Sequence, residues 1–112
     1  MDVRALVKAC PGITYLDLSN VSTIDNYLIS LLLPHLPLLE IFILKRNIKV
    51  NNEIFIYLAK HSTNLKHLEI GGLPTEFNNN ITYEGIETLT MLKSKLRKIR
   101  FEYCAKIGDM SL

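Results

Sequence analysis

Leu65-Lys66-His67-Leu68-Glu69-Ile70 decides the reading of this chain. Its apolar residues stand at Leu65, Leu68 and Ile70. The same frame recurs as Ile13, Leu16, Leu18, as Leu39, Phe42, Leu44, and as Leu96, Ile99, Phe101. The four starts are 26, 26 and 31 residues apart. Side chains alternate across a strand, so Leu68 and Ile70 share one face while His67 and Glu69 share the other. A short strand that returns at a near-fixed period points to stacked repeats, because one strand and one helix cannot bury their own apolar faces.

The residues between the strands repeat as well. After Leu18, Val21 and Ile24 continue an inward-facing turn, and Asp25 or Asn26 can cap a helix. Leu28, Ile29, Leu32, Leu33 and Leu36 form its apolar stripe. Pro34 is expected to distort the last turn and Pro37 to close it. In the second unit Asn47 takes the place of Val21 and Val50 that of Ile24, with Asn51 or Asn52 as the cap. Ile54, Phe55, Leu58 and Ala59 face the core, and Lys60 and His61 complement the helix dipole in the last turn.

In the third unit Leu73 follows the strand, and the next core residue, Ile81, arrives five residues late. Residues 74–80, Pro-Thr-Glu-Phe-Asn-Asn-Asn, therefore hold a five-residue insertion with the composition of a surface loop. A helix from Thr82 or Tyr83 carries Ile86, Leu89 and Thr90 and ends near residues 93–95. The fourth unit supplies Leu96, Ile99, Phe101, Cys104 and Ile107, then Asp109 as a cap and Leu112 within a helix. At the other end Val3, Leu6 and Val7 lie on one helical stripe, which Pro11-Gly12 stops; Val3 and Leu6 take the places of Ile29 and Leu32. Residues 1–112 form a single domain of about three complete repeats with partial units at both ends. Stacked repeats need polar caps over their terminal cores. None is visible here, so the chain is expected to be a piece of a longer array, or a fragmentary product, that self-associates through uncapped ends.

The repeat, L-x-x-L-x-L-x-x-[C/N]-x-x-[I/V]-x-[D/N]-x-x-[L/I/F]-x-x-L, resembles the cysteine-containing leucine-rich repeat of F-box proteins, a ribonuclease-inhibitor-like array. Leu96, Ile99, Phe101, Cys104, Ile107, Asp109 and Leu112 all fall on its pattern, and Asn47 occupies the Cys/Asn position of the second unit. Val21 and Leu73 depart from it. The resemblance implies an α/β fold, a leucine-rich-repeat solenoid (horseshoe) with short parallel strands on the concave side and helices on the convex side. It also implies the substrate-recognition repeats of a ubiquitin-ligase receptor. That role needs an F-box ahead of the repeats, and the sequence before Asp2 has no room for one.

Composition narrows the function classes. With 112 residues, 48% of them hydrophobic and 21% charged, the chain has the make-up of one small globular domain. The net charge of +2 is too mild to indicate nucleic acid or a membrane surface. Two distant cysteines, Cys10 and Cys104, suit a reduced compartment, and cytoplasmic or nuclear localisation is expected. The chain does not open on a secretory signal pattern. The apolar run around Leu31, Leu32 and Leu33 is broken by Pro34 and Pro37, so no membrane partner is expected. Two N-x-S/T matches, at Asn20 and Asn80, place Val21 and Ile81 on core positions and read as chance.

The outward strand positions carry the functional expectation. In register, Tyr15, Ile41, His67 and Lys98 form one column, and Asp17, Ile43, Glu69 and Arg100 the next. With Lys45, Arg46 and Tyr103 they make the candidate partner-binding face. Ile41 and Ile43 are apolar where solvent is expected, which suits a protein contact. The basic residues of 93–100 lack interleaved aromatic platforms, so a nucleic-acid partner is not expected. His35, His61 and His67 fall on different elements, which argues against a metal site. Cys10 and Cys104 read as packing residues, and Asp25 and Asp109 as caps. No nucleophile–base set, phosphate loop or paired carboxylates is present, so neither an enzyme nor a cofactor is expected. The resulting expectation is a protein–protein interaction module; the alternative is a truncated or degenerate structural fragment without its own activity.

Overall fold

The computed structural model describes residues 3–90, 95–107 and 110–111. Helix α1 spans Val3–Ala9, strand β1 Tyr15–Asp17 and helix α2 Asn26–Leu32. Strand β2 (Ile41–Leu44), helix α3 (Glu53–His61), strand β3 (His67–Gly71), helix α4 (Tyr83–Leu89), strand β4 (Lys98–Glu102) and strand β5 (Met110–Ser111) follow. The sheet runs in order from β1 to β5. Its first four strands are parallel, and β5 pairs antiparallel with β4. The fold is therefore mixed α/β, with a four-stranded parallel sheet as its centre.

The strand register matches the sequence columns residue for residue. Tyr15 pairs with Ile41, Ile41 with His67 and His67 with Lys98; Asp17, Ile43, Glu69 and Arg100 form the next row. The entry to each pairing uses one repeated bond pattern. Thr14 O accepts from the amides of Glu40 and Ile41, Glu40 O from those of Lys66 and His67, and Lys66 O from those of Arg97 and Lys98.

The core lies between one face of this sheet and the helices. Phe42, Leu68 and Ile99, then Leu44, Ile70 and Phe101, meet Ile29, Leu32, Leu33, Ile54, Phe55 and Leu58, all at most 2% exposed. Phe55 and Phe101 pack edge to face at 6.1 Å, a favoured aromatic arrangement. Gly85 of α4 is buried so close to α3 that a Cβ there would collide with the Phe55 ring and Asn52 Oδ1. That close approach of α4 to α3 was not visible in the hydrophobic period.

The helix ends follow from local chemistry. Asp25 caps α2, its carboxylate accepting from the Leu28 amide at 2.9 Å. Pro34 ends the α-helix at Leu32, and the chain continues as a 3-10 turn over Leu33–His35. In the second unit both asparagines act. Asn51 Oδ1 accepts from Glu53 N at 2.9 Å, while Asn52 reaches the next unit, accepting from Thr82 N at 3.0 Å and donating to Thr82 Oγ1 at 2.6 Å. Asn26 and Asn51 are bonded across the preceding pair of units, with Asn26 Oδ1 accepting from Asn51 N at 2.9 Å and Asn26 Nδ2 donating to Asn51 Oδ1.

A second set of asparagines closes the turns after the strands. Asn47 is 5% exposed; its Nδ2 donates to Ile24 O and its Oδ1 accepts from the Lys49 and Val50 amides, each at 2.9 Å. Asn78, fully buried, does the same work one unit on. Its Nδ2 donates to Asn47 O (3.1 Å) and Val50 O (3.0 Å), and its Oδ1 accepts from Asn80 N at 2.8 Å. Asn78 lies three residues before Ile81, as Asn47 lies three before Val50. The placement of the insertion at 74–80 is thereby corrected. The extra residues lie ahead of Asn78, and Leu73 belongs to them rather than to the repeat frame. They close on themselves, Leu73 N donating to Glu76 O and Glu76 N to Leu73 O. A Cβ at Gly72 would collide with Asn78 N and Tyr103 O, so glycine is needed where the loop leaves the strand.

Other expectations are corrected at the edges. Leu6 is 42% exposed and Val21 37%, although both occupy core positions of the repeat, because β1 and α1 have no preceding unit packed on them among the described residues. Thr90 is exposed rather than part of the stripe of α4. The helix expected to start at Asp109 is not formed at Met110 and Ser111, which pair as β5 with Phe101 and Arg100; the open edge of β4 offers backbone groups that a strand can satisfy. Asp109, Leu112 and Lys93 lie outside the described residues. Ser62, buried where the first unit has Leu36, has an Oγ without a hydrogen-bond partner among the described residues.

Candidate functional site

The face of the sheet turned away from the helices carries the candidate residues. Alternation along each strand puts Ile41, Ile43, His67, Glu69, Lys98 and Arg100 there, and parallel pairing stacks them in rows. Tyr15, Asp17, Arg46, Lys98 and Arg100 are exposed; Ile41, Lys45, His67 and Tyr103 are half-buried. The expectation of an exposed Ile41/Ile43 pair is corrected. Ile43 is only 8% exposed, yet it stands apart from the main core cluster. It sits in the middle of its row, between Asp17 and Glu69, where side chains from both neighbouring strands screen it.

Glu69 is the centre of the face. Expected in solvent, it is 7% exposed. Its Oε2 lies 2.6 Å from His67 Nε2 and its Oε1 3.6 Å from Lys45 Nζ. His67 and Glu69 are two apart on one strand and so share a face, while Lys45 comes from the adjacent strand end. Burial pushes the Glu69 carboxyl up, but the His67 hydrogen bond and the charges of Lys45, His67 and Lys98 outweigh it, holding the group below its ordinary 4.5. A carboxyl depressed on folding stabilises the fold above its unfolded value, and that contribution is lost as the pH falls through the folded value. Glu69→Gln should therefore lower stability near neutral pH by about 1–2 kcal/mol. The gap to wild type should close as urea titrations are taken to acid. A gap that stays constant with pH would show that the charge of Glu69 is not what matters.

Around this centre the residues separate into groups. Asp17 is turned to its own turn, its carboxylate accepting from Ser19 N at 2.9 Å. Lys66 and Glu40 form an ion pair of 3.1 Å beside the face. Arg46 and Tyr103 stand where the chain leaves β2 and β4, with left-handed φ of 59° and 54°, matching Asn20 at 61° after β1. These positions belong to the turn geometry as much as to the face. The Tyr103 ring meets Phe77 of the inserted loop edge to face at 5.5 Å, so Tyr103 lies with the insertion rather than with the Glu69 cluster. Sequence reasoning missed that pairing and the Lys45–Glu69–His67 cluster; the i, i+2 spacing of His67 and Glu69 was the signal available for the latter.

A pocket of ≈ 170 Å³ lies beside these turns, lined by Val21, Asn47, Ile48, Leu73 and the cations Arg46 and Lys49. It holds no acid–base pair. Cys104 is buried with Sγ 3.5 Å from Glu102 O, and Cys10 is exposed. Among the described residues no three of His, Cys, Asp and Glu come together as metal ligands, and no helix is long and apolar enough to cross a membrane. The arrangement is a buried carboxylate, Glu69, held between His67 and Lys45 and flanked by the exposed cations Lys98 and Arg100. Compared with known proteins, the chain matches no family model and no curated protein.

Proposed function

We propose that this chain is a protein–protein interaction module, a leucine-rich-repeat solenoid of the horseshoe kind that binds through its concave sheet. The closest functional class is the substrate-recognition repeats of an F-box-like ubiquitin-ligase receptor, the family its repeat resembles. One observation carries the reading: the outer sheet face holds a fixed polar centre, Glu69 with His67 and Lys45, beside exposed Lys98 and Arg100. A preorganised centre with a charged rim gives orientation and partner choice at little ordering cost.

The test is a triple charge reversal at Arg46, Lys98 and Arg100, which are exposed and leave Ile43 in place. Pull-down from lysate followed by titration of the captured partner should show binding weakened by about tenfold or more, with an unchanged circular dichroism spectrum. Binding that survives the reversal would move the site to the helices or to the inserted loop.

A further inference from the structure

The hollow beside the turns draws its walls from three successive units. Val21 comes from the turn after β1, Arg46, Ile48 and Lys49 from the turn after β2, and Leu73 from the inserted loop after β3. These turns are fixed to one another. Asn20 N donates to Lys45 O at 3.0 Å, Asn47 N to Gly71 O at 2.8 Å, and the buried Asn47 side chain ties its own turn to Ile24 O. Residues 73–77 are extra to the repeat, and their first residue, Leu73, supplies the third wall.

The chemistry of the hollow is one-sided. Val21, Ile48 and Leu73 are apolar, and each keeps part of its surface exposed. Arg46 and Lys49 are exposed cations, and no Asp or Glu lines the hollow. Among the described residues the ion pairs involve Lys45, Lys66 and His67, and neither Arg46 nor Lys49 has a carboxylate partner. Cations beside an apolar floor call for an anion carried on an apolar group. A volume of ≈ 170 Å³ is below the range of cofactor and drug-sized sites and suits a single side chain. The last residue of a polypeptide meets both conditions, since its carboxylate and its side chain share one Cα. Capture of a terminal carboxylate is a recurring mode of peptide recognition.

We propose that the hollow takes the C-terminal residue of a polypeptide whose last side chain is aliphatic. Arg46 and Lys49 hold the terminal carboxylate, and the aliphatic side chain rests on Val21, Ile48 and Leu73. The chain leading to it leaves past the exposed Asn20 and Ser22. The fixed turns keep the ordering cost low. This site does not rest on the reading of the concave face, because Lys98 and Arg100 do not line it.

NMR titration of the isotope-labelled chain with an acetylated pentapeptide ending in leucine tests the proposal. The free-acid peptide should shift the amide signals of Val21, Ile48 and Leu73. The same peptide with a C-terminal amide should bind about tenfold or more weakly. Arg46→Gln/Lys49→Gln, at exposed positions, should weaken the free acid by about tenfold or more with an unchanged circular dichroism spectrum. Leu73→Ala should weaken it by about fivefold. Lys98→Glu/Arg100→Glu should leave the peptide bound, so a failure of the concave face and a failure of this site are read separately. Equal binding of acid and amide, or binding indifferent to Arg46→Gln/Lys49→Gln, would overturn the proposal. So would 4-methylpentanoate binding where the peptide does not, or no shifts at millimolar peptide.

Discussion

Asn78→Asp should cost on the order of 3–5 kcal/mol of stability and lower the melting temperature by more than about 10 °C. The substitution is nearly isosteric, so packing is held constant. Its effect falls on Nδ2, which donates to Asn47 O and Val50 O inside a site with no solvent exposure. A carboxylate there turns oxygen toward two carbonyl oxygens and gains no water. Both the lost bonds and the desolvated charge act in the same direction. Because burial among acceptors raises the pKa of the new acid in the folded state, protonation should relieve part of the loss. The gap to wild type should narrow as the pH falls. Asn79, its exposed neighbour, gives the control: Asn79→Asp should stay within about 0.5 kcal/mol of wild type. Equal melting temperatures for the two variants would show that the buried asparagine does not tie the second and third units together.

Much of this architecture was legible from periodicity alone. The strands, their columns and their parallel register follow from Ile13, Leu39, Leu65 and Leu96 and the alternation after them, because a one-residue slip would exchange core for solvent along a whole strand. Pro34 marked the helix break for a purely local reason. What was not legible depends on contacts between units. Three asparagines in a row, Asn78, Asn79 and Asn80, gave no local sign of which one is buried. Leu73, an apolar residue at the expected spacing, drew the repeat frame to itself. The burial of Ile43 and Glu69 depends on the length and charge of side chains one strand away, which a pattern of apolar and polar positions does not encode. The outward columns were therefore legible in the sequence, but the contacts within them were not: Ile41 and Ile43 stood out, whereas it is Glu69 that is buried against His67 and Lys45.

The position of the insertion can be tested by removing it in two ways. Deleting residues 73–77 joins Gly72 to Asn78 and restores the spacing Ile70-x-x-Asn78 found in Leu44-x-x-Asn47. Gly72 can then adopt the left-handed backbone that Arg46 holds at the same place. Closing a loop five residues shorter changes the chain entropy by less than about 1 kcal/mol. The lost Phe77–Tyr103 contact costs about as much. Deleting residues 74–78 removes the same number of residues and restores the same period, but it places Leu73 where the asparagine belongs. Asn47 O and Val50 O then lose their donor, at a cost of about 1–3 kcal/mol for each group left buried and unpaired.

The central claim is that these units are held in register by buried asparagines, with Asn78 serving the third. Thermal melts of the two deletions, side by side, test it most directly. The chain lacking 73–77 should melt cooperatively within about 5–10 °C of wild type, and the chain lacking 74–78 should melt at least about 10 °C below its counterpart. Coincident melts, or greater stability for the chain that keeps Leu73, would contradict it.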